Sequence, residues 1–142
     1  MKLKRSLGQN FLTDSFFLEK IVQSSQIQKL DDVIEIGSGD GALTELILKK
    51  SNSLTAIEID QRFSEKLKER HIYDNFQIHN TDFLKINLNE INFEDKVVMG
   101  NLPYNVSSQI IFRLLESELK FKHCVFLICL LYTSDAADDW FC

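Results

Sequence analysis

A short apolar run that breaks into glycines constrains this chain more than any other feature. Asp32-Val-Ile-Glu-Ile36 is followed by Gly37-Ser-Gly39-Asp-Gly41, and then by Leu43, Leu46 and Ile47. The run has the length and composition of a buried strand, and the i, i+3, i+4 spacing after it is that of an amphipathic helix. Between the two, the chain must turn sharply and bring its backbone close to a ligand with no Cβ in the way, which glycine permits. Glu58 falls about 20 residues later, at the end of a second β-rich run, where a carboxylate can accept both hydroxyls of a ribose. Strand, glycines, helix and acid in that order mark a site for an adenosine-containing ligand.

The remainder alternates in the same way. Residues 15–24 put Phe17, Leu18, Ile21 and Val22 on one helical face, and Phe63 and Leu67 mark a further helix. Leu54 to Ile59, Phe76 to His79, Lys96 to Gly100 and His123 to Ile128 read as strands. Ser107 or Ser108 is placed to cap a helix whose Ile110, Ile111, Leu114 and Leu115 face inward. Strands separated by helices imply right-handed parallel crossovers and an α/β sheet covered on both faces, which binds ligands beyond the carboxyl ends of its strands. The longest apolar run, Cys124 to Leu131, has eight residues, too few for a membrane helix. The basic N-terminus lacks the apolar block of a secretory signal, so a cytoplasmic, membrane-free protein is expected. Cys124, Cys129 and Cys142 form no metal-ligand spacing, and His71, His79 and His123 are scattered, so no metal is expected and Cys124 reads as a small buried hydrophobe.

Two motifs carry the chemistry. Asp82 follows the third strand, where its carboxylate can accept a hydrogen bond from an adenine amine; a plain turn residue is the competing reading. The fourth strand runs into Asn101-Leu-Pro-Tyr-Asn105, which contains the only proline. Pro103 fixes a torsion, disfavours helix at Leu102 and removes an amide hydrogen. The Asn101 side chain and the Leu102 carbonyl then become paired acceptors beside an exposed Tyr104 ring. Two acceptors holding both N–H bonds of an aromatic amine draw its nitrogen toward tetrahedral geometry and free the lone pair for attack. Tyr104 suits stacking on a base taken out of its helix. The glycine loop alone does not choose the cofactor, because Gly37-x-Gly39-x-x-Ala42 fits the dinucleotide pattern as well as Gly37-x-Gly39-x-Gly41 fits the methyltransferase one.

Taken together these segments resemble the ribosomal RNA adenine N6-dimethyltransferase family. Leu7-Gly-Gln-Asn10-Phe-Leu12 is similar to its N-terminal signature, Val33-Ile-Glu-Ile-Gly-Ser-Gly39 to its cofactor loop, Ile57-Glu-Ile-Asp60 to its acidic motif and Asn101-Leu-Pro-Tyr-Asn105 to its catalytic motif. The resemblance implies a Rossmann-like class I methyltransferase fold, mostly parallel with helices on both faces and incomplete at the C-terminus. It implies S-adenosyl-L-methionine bound by Asn10, Leu12, Gly37, Gly39, Glu58, Asp82 and Asn101, and methyl transfer at Asn101, Leu102, Pro103 and Tyr104. Details of the first and last motifs favour the housekeeping branch. Its substrate would be two adjacent adenines near the 3′ end of small-subunit rRNA in a pre-ribosomal particle, and the enzyme a monomer. The alternatives are a macrolide-resistance type methylase of large-subunit rRNA, a non-catalytic RNA-binding or transcription-factor relative, and an NAD-linked oxidoreductase. The last lacks a catalytic His, Tyr-Lys or Cys arrangement.

Residues 129–142, CLLYTSDAADDWFC, break the composition. They hold the only Trp, two of the three Cys and three Asp, with no Lys or Arg; without them 16 basic residues face 18 acidic ones, a net of −2 instead of −5. They resemble translated sequencing-adapter sequence. The division expected is therefore a methyltransferase segment over 1–128 and a non-native tail over 129–142, with an unpaired sheet edge after 128 and little activity for the segment alone.

Overall fold

The computed structural model describes residues 15–129. Helix α1 (Ser15–Ser25) precedes strand β1 (Asp32–Ile36); α2 (Ala42–Lys50), β2 (Ser53–Glu58), α3 (Gln61–Arg70) and β3 (Phe76–Asn80) follow. A long connection with one 3-10 turn (Leu88–Glu90) leads to β4 (Val97–Pro103), α4 (Tyr104–Glu116) and β5 (His123–Cys129). All four strand pairings are parallel, in the order β3-β2-β1-β4-β5.

Residues alternate across this sheet, and each face builds its own core. On one face Val33, Leu54, Val97 and Met99 meet Leu18, Ile21 and Val22 of α1 and Leu43 and Ile47 of α2. On the other, Ile34, Ile36, Ile57, Val98 and Leu102 meet Ile110 and Leu114 of α4, with Phe83, Ile91 and Phe93 from the β3–β4 connection. Apolar strands buried on both sides are what an all-parallel sheet requires. The sequence-derived α/β sheet with two covered faces is the fold observed.

Five local expectations change. The second strand stops at Glu58, leaving Ile59 outside the ladder and exposed. The fourth strand runs three residues past Gly100, through Pro103, because β5 keeps pairing with it up to Pro103↔Cys129. The following helix starts at Tyr104 without a serine cap: Pro103 occupies the cap position, and the Ser107 hydroxyl donates to the Tyr104 carbonyl inside the first turn at 3.0 Å. Of the four apolar residues expected to face inward on α4, Ile110 and Leu114 are buried, while Ile111 is half-buried and Leu115 is 67% exposed. The apolar stripe on this helix is wider than the surface that β4 and β5 offer it. Cys124 is half-buried rather than fully buried, and burial raises its thiol pKa.

Candidate functional site

The strand order reverses at β1: β2 and β3 lie on one side of it, β4 and β5 on the other. Ligands of open parallel sheets bind at such a reversal, beyond the carboxyl ends of the strands. β4 pairs with β1 only over Val97–Met99, yet with β5 over Val97–Pro103. From Gly100 onward β4 therefore parts from β1 and stays with β5, and a cleft of about 380 Å³ opens between the strand ends. That volume lies within the usual range for small-molecule sites.

One wall is the glycine loop. Gly37, Gly39 and Gly41 take φ values of +77°, +54° and +91°, a region that side-chain-bearing residues enter only at a cost. The Gly37 amide donates to the Ile57 carbonyl at 2.8 Å, tying the loop to β2. A Cβ on Gly41 would lie 2.4 Å from Leu67 Cδ2 of α3, whereas one on Gly39 would meet nothing within 4 Å. The second glycine thus faces open space and the third is packed. Arg70 of α3 donates to the Asp40 carbonyl at 3.0 Å, holding the loop from outside.

Glu58 is 6% exposed, and both of its carboxylate oxygens are engaged. Oε1 accepts from the Gly39 amide at 2.7 Å and Oε2 from the Asp60 amide at 2.8 Å. A carboxylate has about four acceptor sites, so two stay available for ribose hydroxyls. Asp60 caps α3 by accepting from the Arg62 amide, and the Arg62 guanidinium beside it holds its carboxyl down at about 2. Below the loop, Glu35 is fully buried. It accepts from Thr44 Oγ1 at 2.6 Å, and loss of water pushes its pKa up to about 8, against the pull of the Thr44 bond. Its second oxygen and the Ser38 hydroxyl are buried without partners.

The segment after β3 and, across the cleft, the end of β4 complete the lining. Asp82 lines the cleft and also shapes its own turn, Oδ1 accepting from the Leu84 amide at 2.9 Å. The turn role read from the sequence is present, and the same residue faces the cleft. Asn101, Leu102 and Pro103 line the cleft too, and a Cβ placed on Gly37 would lie 3.9 Å from Leu102 Cδ2. The two motifs therefore adjoin. Tyr104 stands at the start of α4, 45% exposed and outside the cleft lining.

The structure thus gathers Gly37, Gly39, Glu58, Asp82, Asn101, Leu102 and Pro103 at one cleft and sets Tyr104 beside it. Asn10 and Leu12 lie outside the described residues. Sequence reasoning missed Gly100, where a Cβ would sit 2.6 Å from the Ile36 carbonyl oxygen. This glycine lets β4 pass the end of β1. Its place directly before the Asn-Leu-Pro motif was the available signal. Apolar wall residues such as Ile59, Phe83 and Val106 were also missed, having no feature to separate them from core. Two of the three histidines make polar contacts within the fold: His71 Nδ1 lies 2.7 Å from Asp74, and His123 Nε2 lies 2.8 Å from the Ser25 carbonyl oxygen.

A parallel sheet whose reversal point carries a glycine loop, an engaged acid on the second strand and an Asn-Leu-Pro strand end on the fourth defines a Rossmann-like methyltransferase domain. The family model described as ribosomal RNA adenine dimethylase matches residues 1–132, and the chain belongs to that family. It is 42% identical over 126 residues to ribosomal RNA small subunit methyltransferase A of Mycoplasma mobile, covering 88% of this chain and 48% of the relative. To the protein of that name from Clostridium acetobutylicum it is 41% identical over 133 residues, covering 89% and 47%. The chain spans about half the length of these curated relatives. Among solved structures, a dimethyladenosine transferase from Plasmodium falciparum matches with TM-score 0.68 and 32% identity, over 80% of this chain and 41% of that one. The 23S rRNA methyltransferase ErmE matches with TM-score 0.70 and 25% identity, over 82% and 47%.

Proposed function

We propose that the whole protein transfers methyl groups from S-adenosyl-L-methionine to the N6 amines of two adjacent adenines near the 3′ end of small-subunit rRNA. It would act as a cytoplasmic monomer on a pre-ribosomal particle. The observation that carries this reading is the shared cleft: the glycine loop and the Asn101-Leu102-Pro103 segment face one space, with Gly37 against Leu102. Relatives named for the small subunit stand at 41–42% identity and a large-subunit enzyme at 25%, which favours the housekeeping substrate. No helix among the described residues is long and apolar enough to cross a membrane.

The residues present fit the cofactor. Gly39 leaves open space where a side chain would stand, Glu58 offers its remaining acceptor sites to ribose hydroxyls, and Asp82 offers a carboxylate to the purine amine. The cofactor supplies a methyl group made electrophilic by a sulfonium. The rest is alignment and desolvation by the protein. Asn101 and the Leu102 carbonyl accept the two N–H bonds of the target amine, Pro103 removes a competing backbone donor, and Tyr104 stacks on the extruded base. No strong base is needed, because the amine becomes acidic once methylated. Incubation of the whole protein and labelled cofactor with small ribosomal subunits lacking these methyl groups should place label on both adenines. Cofactor binding with no label in the small subunit would refute the substrate assignment.

A further inference from the structure

Arg113 lies well along α4, yet its guanidinium reaches the segment after β3. Nη1 donates to the Phe83 carbonyl and Nη2 to the Ile86 carbonyl, and the guanidinium carbon sits 5.6 Å from the centroid of the Phe83 ring. That segment belongs to no helix or strand, and its amides turn inward on Asp82. Lys85 and Ile86 donate to the Asp82 carbonyl, each at 3.0 Å, and Leu84 donates to the carboxylate. The Phe83 and Ile86 carbonyls, three residues apart, lack the continuing helix that would pair them. Phe83 is 4% exposed, so an unpaired carbonyl there is costly. A planar fork with parallel donors serves two carbonyls and a ring face together; an ammonium cannot.

We propose that Arg113 is a positioning residue for purine recognition. By clamping the Phe83 and Ile86 carbonyls it fixes the turn that presents Asp82 to the cleft. The helix that opens at the Asn-Leu-Pro-Tyr motif thereby also sets the opposite wall. This rests on the reading of the cleft as a site for S-adenosyl-L-methionine.

The test compares binding of S-adenosylhomocysteine with that of S-inosylhomocysteine, which carries an oxo group in place of the amine. The proteins are the full chain and its Arg113→Gln, Arg113→Lys, Asp82→Ala and Arg113→Gln/Asp82→Ala variants. The unaltered chain should prefer the adenosine compound by about tenfold or more, the weight of one hydrogen bond to a charged acceptor. Arg113→Gln and Arg113→Lys should each bring that preference within about twofold, and Arg113→Gln should add nothing once Asp82 is gone. A brace that merely stabilises the fold would weaken both ligands alike and leave the preference intact, which would overturn the proposal. Equal affinity of the unaltered chain for the two compounds would overturn it as well. Amide hydrogen exchange gives a ligand-free reading. In Arg113→Lys the Leu84, Lys85 and Ile86 amides should exchange at least several-fold faster while β2 is unchanged, and unaltered exchange there refutes the clamp. If the unaltered chain binds neither compound, the cofactor reading fails, and the exchange result still decides whether Arg113 holds the turn.

Discussion

On the β1–β2 side of the cleft, the polar groups that shape the wall are held by other parts of the same chain. Gly37 is tied to Ile57, Gly39 to Glu58, Glu58 also to Asp60, and Asp40 to Arg70. On the β4 side the Asn101–Tyr104 segment has left β1, no side chain caps the helix it opens, and Tyr104 is turned to solvent. Under the proposed function the first wall would receive a small cofactor on a loop already tied down by the chain itself, and the second would be completed by the macromolecule that delivers the amine. Damage should therefore read out differently on the two sides: in stability and cofactor affinity on the first, in turnover on the second.

The largest effect should come from Asn101→Ala in the whole protein. Loss of an acceptor aimed at the reacting centre costs about 10²–10³ in rate for comparable catalytic hydrogen bonds, and the melting temperature should hold. A variant that keeps full methyl transfer would refute the acceptor role, and one that fails to fold would erase the contrast between the walls. Gly41→Ala attacks the first wall. Its methyl group meets Leu67 at a left-handed backbone position, so urea unfolding should show a loss of about 3 kcal/mol from combined strain and overpacking. An unchanged midpoint would mean that the loop is softer than its contacts suggest. Tyr104→Ala should weaken the apparent affinity for RNA by about tenfold through lost stacking, with cofactor affinity untouched. A fall in cofactor affinity instead would move Tyr104 into the first wall.

The smallest effect near pH 5, and a growing one above it, belongs to Glu35→Gln. Burial raises the Glu35 pKa to about 8 in the native state, while the unfolded chain titrates near 4.3. Between those values the native state keeps a proton that the unfolded chain has released. Raising the pH therefore draws the equilibrium toward unfolding until about pH 8. Glu35→Gln should flatten that decline. Denaturant midpoints taken from pH 5 to pH 8 that fall equally in both proteins would assign the slope to other groups.

Much of the fold was legible because its signals are local. Glycines after an apolar pentapeptide, a carboxylate at the next strand end and apolar residues at helical spacing each need only a few neighbouring letters. What escaped depends on partners distant in sequence. Asn-Leu-Pro-Tyr has the composition of a turn, yet three of its residues are strand because β5 pairs with them. The inward face of α4 was drawn too wide, since periodicity shows which residues are apolar but not how far the sheet extends beneath Leu115. Arg113 had no mark at all. Its carbonyl partners lie in the stretch before β4, and nothing in the sequence says which basic residue will reach them.

The continuation of β4 into the Asn101 segment places the Asn101 side chain by counting. Side chains in a strand take opposite sides in turn, so Asn101 lies on one side of the sheet and Gly100 and Leu102 on the other. One inserted residue anywhere from Met99 to Asn101 would send the amide to the wrong side and bring a bulkier group against the Ile36 carbonyl, where only a hydrogen fits. Substitutions in this protein can be graded, whereas an insertion or deletion in that short stretch would be all or nothing.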